Sequence, residues 1–238
     1  TTEIYTLSLH DALPISSEYP TALQPGNLHN LRIIKDGQSV LSHAAIRPLI
    51  LKTPIAIYKV AAIGSVVTSS DHRQQGLSRQ IIEACLAEAE TQNCEIAVLW
   101  TDLFDFYRKF DFEVAGSEVS VFIDRDLTDR TLGLTIREGA NIDPAALLKV
   151  YNRHTVGTVR TQEEVRQFLK IPNSHVYTAW DQKGTLVAYA VEGKGADLNG
   201  YIHEWGGGVS ELMTLVDEVR QRQKRDLTLI APDRKSVV

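Results

Sequence analysis

The residues most able to do chemistry lie between Val66 and Ser78, in the stretch VVTSSDHRQQGLS. An apolar, β-branched run ends at Val66-Val67-Thr68, and helical periodicity begins at Leu77. A strand that turns directly into a helix presents the unpaired N–H groups of the first helical turn at one point, where the helix dipole adds partial positive charge. Such a point binds anions. Within the connection, Arg73 can add charge-assisted bonds to phosphate oxygens. Gly76 lets the backbone come close to a ligand, and the small Ser78 permits close packing at the helix start. Gln74, Gln75 and Leu77 supply the intervening backbone. On physical grounds alone the ligand is a phosphate or a carboxylate.

Elements on either side must position this loop. Leu31 to Ile34 and Ser39 to Ile46 flank Lys35-Asp36-Gly37-Gln38, a hairpin signal. Ile55 to Thr68 reads as a buried strand, with Gly64 as a bulge. From Leu77, apolar Ile81, Ile82, Cys85, Leu86 and Ala89 recur at helical spacing, with Arg79, Gln80, Glu83, Glu88 and Glu90 outward. Glu95 to Trp100 is a second buried strand, and Leu103 to Phe110 a short aromatic helix. Phe112 to Val114 and Val119 to Ile123 are expected as a closing strand pair. The order β-hairpin, β, loop, α, β, α, ββ places a first domain at 17–125.

The polar stretch from Asp124 to Gly133 marks a boundary, and a second domain is expected over 133–232. There Asp143-Pro144 is an N-cap and first helical position, and Thr161-Gln-Glu-Glu164 is a capping box. Strands are expected at 134–137, 175–180, 186–191, 200–205 and 227–230, and a helix at 210–222. This half repeats the element order of the first. His203-Glu204-Trp205 and Gly206-Gly207-Gly208 fall where its own loop should be, without an Arg-x-x-Gly-x-small pattern.

Arg73-Gln-Gln-Gly76-Leu-Ser78 resembles the [Arg/Gln]-x-x-Gly-x-[Gly/Ala] motif of GNAT N-acetyltransferases. Gly64-Ser-Val-Val-Thr68 resembles the family's splayed strand, and Phe106-Tyr107-Arg-Lys-Phe-Asp111-Phe112 its Phe-Tyr-x-x-x-Gly-Phe signature. The three segments stand in the family's order within residues 30–125. The resemblance implies an α/β (α+β) fold, a mixed, mostly antiparallel sheet flanked by helices, followed by a second, degenerate GNAT-like half as in two-domain bacterial members. It also implies acetyl-CoA as co-substrate, held by Val66, Val67, Thr68, Arg73, Gln74, Gln75, Gly76, Leu77 and Ser78, and a primary amine, small-molecule or peptide, as acceptor. Direct transfer in a ternary complex would use the backbone near Val66 to polarise the thioester. Tyr107 would be the acid that protonates departing CoA. Two positions depart from the pattern. Ser70 replaces a proline, and Asp111 replaces a glycine that takes a left-handed conformation, which Asp tolerates better than most residues.

A proton acceptor is not evident. His72 reads as a solvent-facing loop residue, Asp102 as a helix N-cap and a modest candidate, and His43 lies on the hairpin with no motif behind it. A binding module that keeps CoA affinity without turnover, as a sensor or scaffold, is the second reading. A loop for some other nucleotide is the third.

The totals set the background. The formal net charge of −5 argues against nucleic acid or an anionic membrane as partner and is compatible with a cationic acceptor. Cys85 and Cys94 form neither a disulfide framework nor a metal cluster, so no metal is expected. With no apolar run of about 20 residues, the chain reads as a cytoplasmic protein; a homo-oligomer is compatible with the sequence. The ends carry their own signal. His10 to Ile15, HDALPI, can be encoded by CACGACGCTCTTCCGATC, and the reverse complement of that string encodes DRKSVV, Asp233 to Val238. Residues 1–16 and 233–238 are therefore expected to be translated sequencing adapter and not native protein.

Overall fold

The computed structural model describes residues 13–126 and 133–232. They divide into two compact units, one running to Val114 and including Val156–Val159, the other comprising Ala115–Thr155 and the chain from Arg160. The C-terminal segment expected to be foreign, and residues 1–12 of the N-terminal one, lie outside the described residues, as do 127–132 of the expected boundary.

The first unit begins with α1 (Leu13–Glu18) and a 3-10 turn, Pro25–Asn30. β1 (Leu31–Asp36) and β2 (Ser39–Lys52) form the expected hairpin, with Gly37 at φ 55° in the turn. β3 (Ile57–Thr68) runs antiparallel to β2 along nearly its whole length. Helix α2 (Leu77–Thr91) then crosses to β4 (Ile96–Val98), parallel to β3. Parallel neighbours require such a crossover. The helix buries Ile81, Ile82, Cys85 and Ala89 against Ala44 and Ile46 of β2 and Ala61 and Ile63 of β3. The opposite face of β2 buries Ala45 with Leu23 and Leu31. After β4 come α3 (Phe104–Tyr107) and a 3-10 turn, Arg108–Phe110, in place of one continuous helix.

The expected closing pair of strands does not form in this sheet. Phe112 to Val114 is irregular, and β5 (Glu118–Ile123) pairs with the last strand of the second unit. That unit continues with β6 (Thr135–Glu138) and α4 (Pro144–Tyr151), whose N-cap Asp143 accepts from Ala145 N at 2.9 Å. β7 (Gly157–Thr158) belongs to the first unit and pairs with β2, which no sequence signal announced. α5 (Gln162–Phe168) opens on the expected capping box. β8 (His175–Trp180), β9 (Leu186–Lys194), β10 (Asp197–Gly207), α6 (Val209–Gln223) and β11 (Leu227–Pro232) complete the chain. The strand order is β5-β11-β10-β9-β8-β6. β10, α6 and parallel β11 repeat the crossover of β3, α2 and β4. Leu212, Leu215, Val216 and Val219 of α6 are buried in this second core.

Candidate active site

The ladder between β2 and β3 breaks where the chemistry is expected. Ala45 pairs with Gly64 and His43 with Val67, so Ser65 and Val66 together face the single residue Ala44. This is a β-bulge, and it takes the extra residue out of the ladder. Ser65 supplies the turn with φ 52°, a left-handed conformation that costs an L residue about 1–2 kcal/mol. A bulge also shifts the two-residue side-chain period. Ala61 and Ile63 point to the α2 core, and beyond the bulge Val66 does so as well, while Val67 turns outward. The sequence reading puts the bulge at Gly64, but Gly64 stays paired with Ala45 and the bulge begins one residue later, at Ser65.

Thr68 also lies on the α2 side. Its hydroxyl is 2.9 Å from Ser78 Oγ and 3.0 Å from Ser42 Oγ, and Ser42 donates onward to the Val67 carbonyl at 3.0 Å. This relay ties the ends of β2 and β3 to the first turn of α2. Ser78 is thus a bonded residue and not merely a small one. Ser42 has no place in the motif, and only its pairing with Thr68 makes it part of the site.

Between β3 and α2 the chain makes a 3-10 turn at Ser70–His72, then passes through left-handed Gln74 (φ 62°) and Gly76 (φ 78°). A Cβ on Gly76 would meet nothing within 4 Å, so its backbone conformation, and not crowding within the protein, calls for glycine. Gly76 is the N-cap and offers no side-chain acceptor, and no acidic residue stands in the first turn. The amides of Leu77, Ser78 and Arg79 therefore lack an intrahelical partner. Leu77 sends its side chain to the α2 core, which leaves its amide as the group facing the loop. Arg73, Gln74 and Gln75 are exposed, and Arg73 has no ion pair among the described residues. Arg79 is held by Glu83 at 3.3 Å and lies over the Phe110 ring at 5.1 Å. His72 contacts Ser69 Oγ at 3.4 Å, and Asp71 accepts from Ser70 Oγ at 3.1 Å, both within the loop.

Tyr107 is buried in the cluster that contains Val66, Cys85, Phe106 and Phe112. Its ring meets Phe106 and Phe112 edge-on, at centroid distances of 5.0 and 5.9 Å. Burial, with the neighbouring Cys85 second, raises its pKa, so the hydroxyl keeps its proton near neutral pH. Burial likewise pushes the Cys85 thiol up to about 12, which makes it a packing residue. Asp111 takes φ 62°, the left-handed conformation the motif's glycine would have, and ends the 3-10 turn before Phe112. Asp102 is exposed and is not the N-cap of α3. That position is Leu103, whose amide donates to Thr101 Oγ1 at 2.9 Å.

The second unit lacks the equivalent of this loop. A Cβ on Gly206 would lie 2.6 Å from the Tyr189 ring, and one on Gly207 2.6 Å from Ala188 Cβ. These glycines answer close packing on β9. Gly208 is the N-cap of α6, and the Glu211 carboxylate lies against it, which disfavours an anion there. Glu204 instead pairs with Arg160 at 2.8 Å, beside Tyr189 Oη at 3.2 Å. Burial opposes ionisation of Glu204, but the Arg160 guanidinium, His203 and the Tyr189 hydroxyl together outweigh it and lower the carboxyl pKa. No group of three or more His, Cys, Asp or Glu side chains suited to a metal occurs among the described residues. No described helix is long and apolar enough to cross a membrane.

Residues 16–115 match the model of the family described as acetyltransferase (GNAT) domain. Solved structures share the fold. The GCN5-related N-acetyltransferase of Anabaena variabilis superposes with a TM-score of 0.72 at 16% identity, over 98% of this chain and 66% of its own. The GCN5-related N-acetyltransferase of Kribbella flavida gives 0.70 at 16%, over 97% and 64%. Eis1 of Mycobacterium abscessus gives 0.63 at 14%, over 96% and 65%. The chain thus spans just under two thirds of the length of the structures it resembles. A comparison with curated proteins finds no match. Residues 16–115 thus match the GNAT acetyltransferase domain family, and the chain shares its fold with solved GCN5-related N-acetyltransferases.

Proposed function

We propose that the protein is an N-acetyltransferase that moves an acetyl group from acetyl-CoA to a primary amine by direct attack in a ternary complex. The observation that carries this reading is the start of α2. An uncapped helix N-terminus without acidic residues follows a left-handed glycine and adjoins Arg73, which has no ion pair among the described residues. The amides of Leu77, Ser78 and Arg79, with Arg73, would hold the CoA pyrophosphate. Gln74, Gln75 and Gly76 shape that cradle. The pantetheine arm would lie along Val66, Val67 and Thr68, with the thioester carbonyl at the bulge, where a backbone N–H can stabilise developing negative charge. Tyr107, protonated and in the same cluster as Val66, would give its proton to the departing thiolate. The net charge of −5 favours cationic acceptors over nucleic acid or anionic membranes, and we place the enzyme in the cytoplasm.

Two measurements test this. In a thermal-shift titration, acetyl-CoA and CoA should raise the melting temperature and ATP should not, because ligand that binds only the folded state stabilises it by mass action. In a primary-amine panel, CoA thiol release should depend on the acceptor. Tight acetyl-CoA binding with no thiol release from any amine would replace the enzyme reading by an acyl-CoA sensor or scaffold. Equal stabilisation by ATP would remove the choice of CoA.

A further inference from the structure

His43 stands directly across the ladder from Val67 and next to the bulge. On β2, Ala44 and Ile46 face the α2 core and Ala45 the opposite side, so alternation puts His43 on the side of Ala45. Its neighbours in the sheet are Ile33 on β1 and Val67 on β3. Neither titrates; Ile33 is buried and Val67 60% exposed, so the half-buried ring is covered toward β1 and open toward β3. His43 Nδ1 is 3.0 Å from the Ser65 carbonyl oxygen. A carbonyl can only accept, so Nδ1 carries the proton and, in the neutral ring, Nε2 carries a free lone pair. Nε2 has no hydrogen-bond partner among the described residues.

We propose that His43 is the proton acceptor for the attacking amine, a role that rests on the acetyl-transfer reading given above. The Ser65 carbonyl orients the ring, and the same contact holds the left-handed bulge residue, so the base and the carbonyl-polarising backbone are positioned by one structure. In the reaction the lone pair of the neutral amine forms a C–N bond at the thioester carbonyl. The nitrogen thereby becomes cationic and acidic, and its proton passes to Nε2. The C–S bond breaks, and the thiolate takes the Tyr107 hydroxyl proton. His43 then releases its proton to solvent and Tyr107 is reprotonated from solvent. Acid and base thus stand on opposite sides of the sheet, at one bulge. Burial lowers the imidazole pKa below 6.5, opposed by the Ser65 bond, and no charged side chain among the described residues enters that balance. The ring is therefore neutral at pH 7, as an acceptor must be.

The test separates a base from a clamp. In His43→Asn, the amide nitrogen can occupy the place of Nδ1–H and keep the bond to Ser65, while the basic Nε2 is lost. With any acceptor from the amine panel, kcat should fall at least about 100-fold, and the acetyl-CoA Kd by calorimetry should stay within twofold. The limb of the kcat profile below pH 6.5 should vanish. In His43→Ala, added imidazole should restore turnover in proportion to its free-base form. Nitrogen-15 NMR of the parent should show the Nδ1–H tautomer in the neutral ring. An unchanged pH profile and kcat in His43→Asn, or an Nε2–H tautomer, overturns the assignment while leaving acetyl transfer intact. Acetyl-CoA binding without turnover in the parent overturns acetyl transfer, and the assignment with it.

Discussion

Replacing Gly76 by Ala isolates what the left-handed backbone at the start of α2 contributes. The added Cβ meets no atom within 4 Å, so packing neither opposes nor rewards it, and the φ of 78° sets the cost. An L residue held there costs about 1–2 kcal/mol. Against that, Ala restricts the unfolded chain more than Gly does, which returns about 0.4–1 kcal/mol. A net loss of about 1 kcal/mol follows, close to a fivefold change in an equilibrium constant. Where it appears depends on the loop. If the free protein keeps the left-handed turn, urea denaturation shows the whole loss as a lower midpoint at unchanged slope. If the free loop relaxes, stability recovers, and binding must restore the turn, so the acetyl-CoA Kd rises instead. The sum of the two losses is conserved. Urea titration with isothermal calorimetry measures both terms. A sum near zero would show that the ligand does not need this conformation. A sum above about 3 kcal/mol would mean that the methyl group collides with the bound ligand, because strain alone cannot supply it.

Three further outcomes follow from the same geometry. Tyr107→Phe should lower kcat by about 100-fold or more, with little change in melting temperature or acetyl-CoA Kd, because the hydroxyl has no hydrogen-bond partner among the described residues; parental turnover would make the ring a packing element. Asp111→Gly should raise stability by up to about 1 kcal/mol, since Asp111 occupies a left-handed φ of 62°, and a lower melting temperature would show that the Asp side chain contributes more than the strain costs. Burial holds the pKa of His203 below 6.5, against the bond its ring makes with the Gly193 carbonyl at 2.9 Å. Below pH 6.5 the unfolded chain therefore binds more protons than the fold. That contribution to stability is present above pH 6.5 and is lost as pH falls from there through the lowered folded value. His203→Gln should flatten this dependence in urea titrations between pH 7 and 5.

Much of this was legible along the chain because it rests on local physical chemistry. The capping box at Thr161, Asp143 at an N-cap, the turn at Gly37 and the periodicity of α2 are short-range signals, and each forms as read. The turn from Arg73 to Ser78 was recognisable for the same reason, since the unpaired amides of an uncapped helix start favour an anion whatever surrounds them. Even the departure at Asp111 could be interpreted beforehand, because a left-handed turn restricts residue type independently of its neighbours.

What the sequence could not decide concerned pairing. β5 has strand character in any context, yet its partner is β11, more than a hundred residues away, and not the first sheet. The bulge left a trace in the apolar pattern, Ala61 and Ile63 followed by Val66, but its effect on function depends on what lies across the ladder. Only the register of β2 on β3 brings Ser42 to Thr68 and His43 to Ser65. Side-chain direction in a strand is set by its register on its neighbour, and register is a tertiary property. The sequence by itself therefore determined the strand–turn–helix connection proposed as the donor loop, whose signal is contained in one stretch of backbone. The tertiary structure alone supplied the candidate base, because a histidine acquires its tautomer and its direction from the carbonyl opposite.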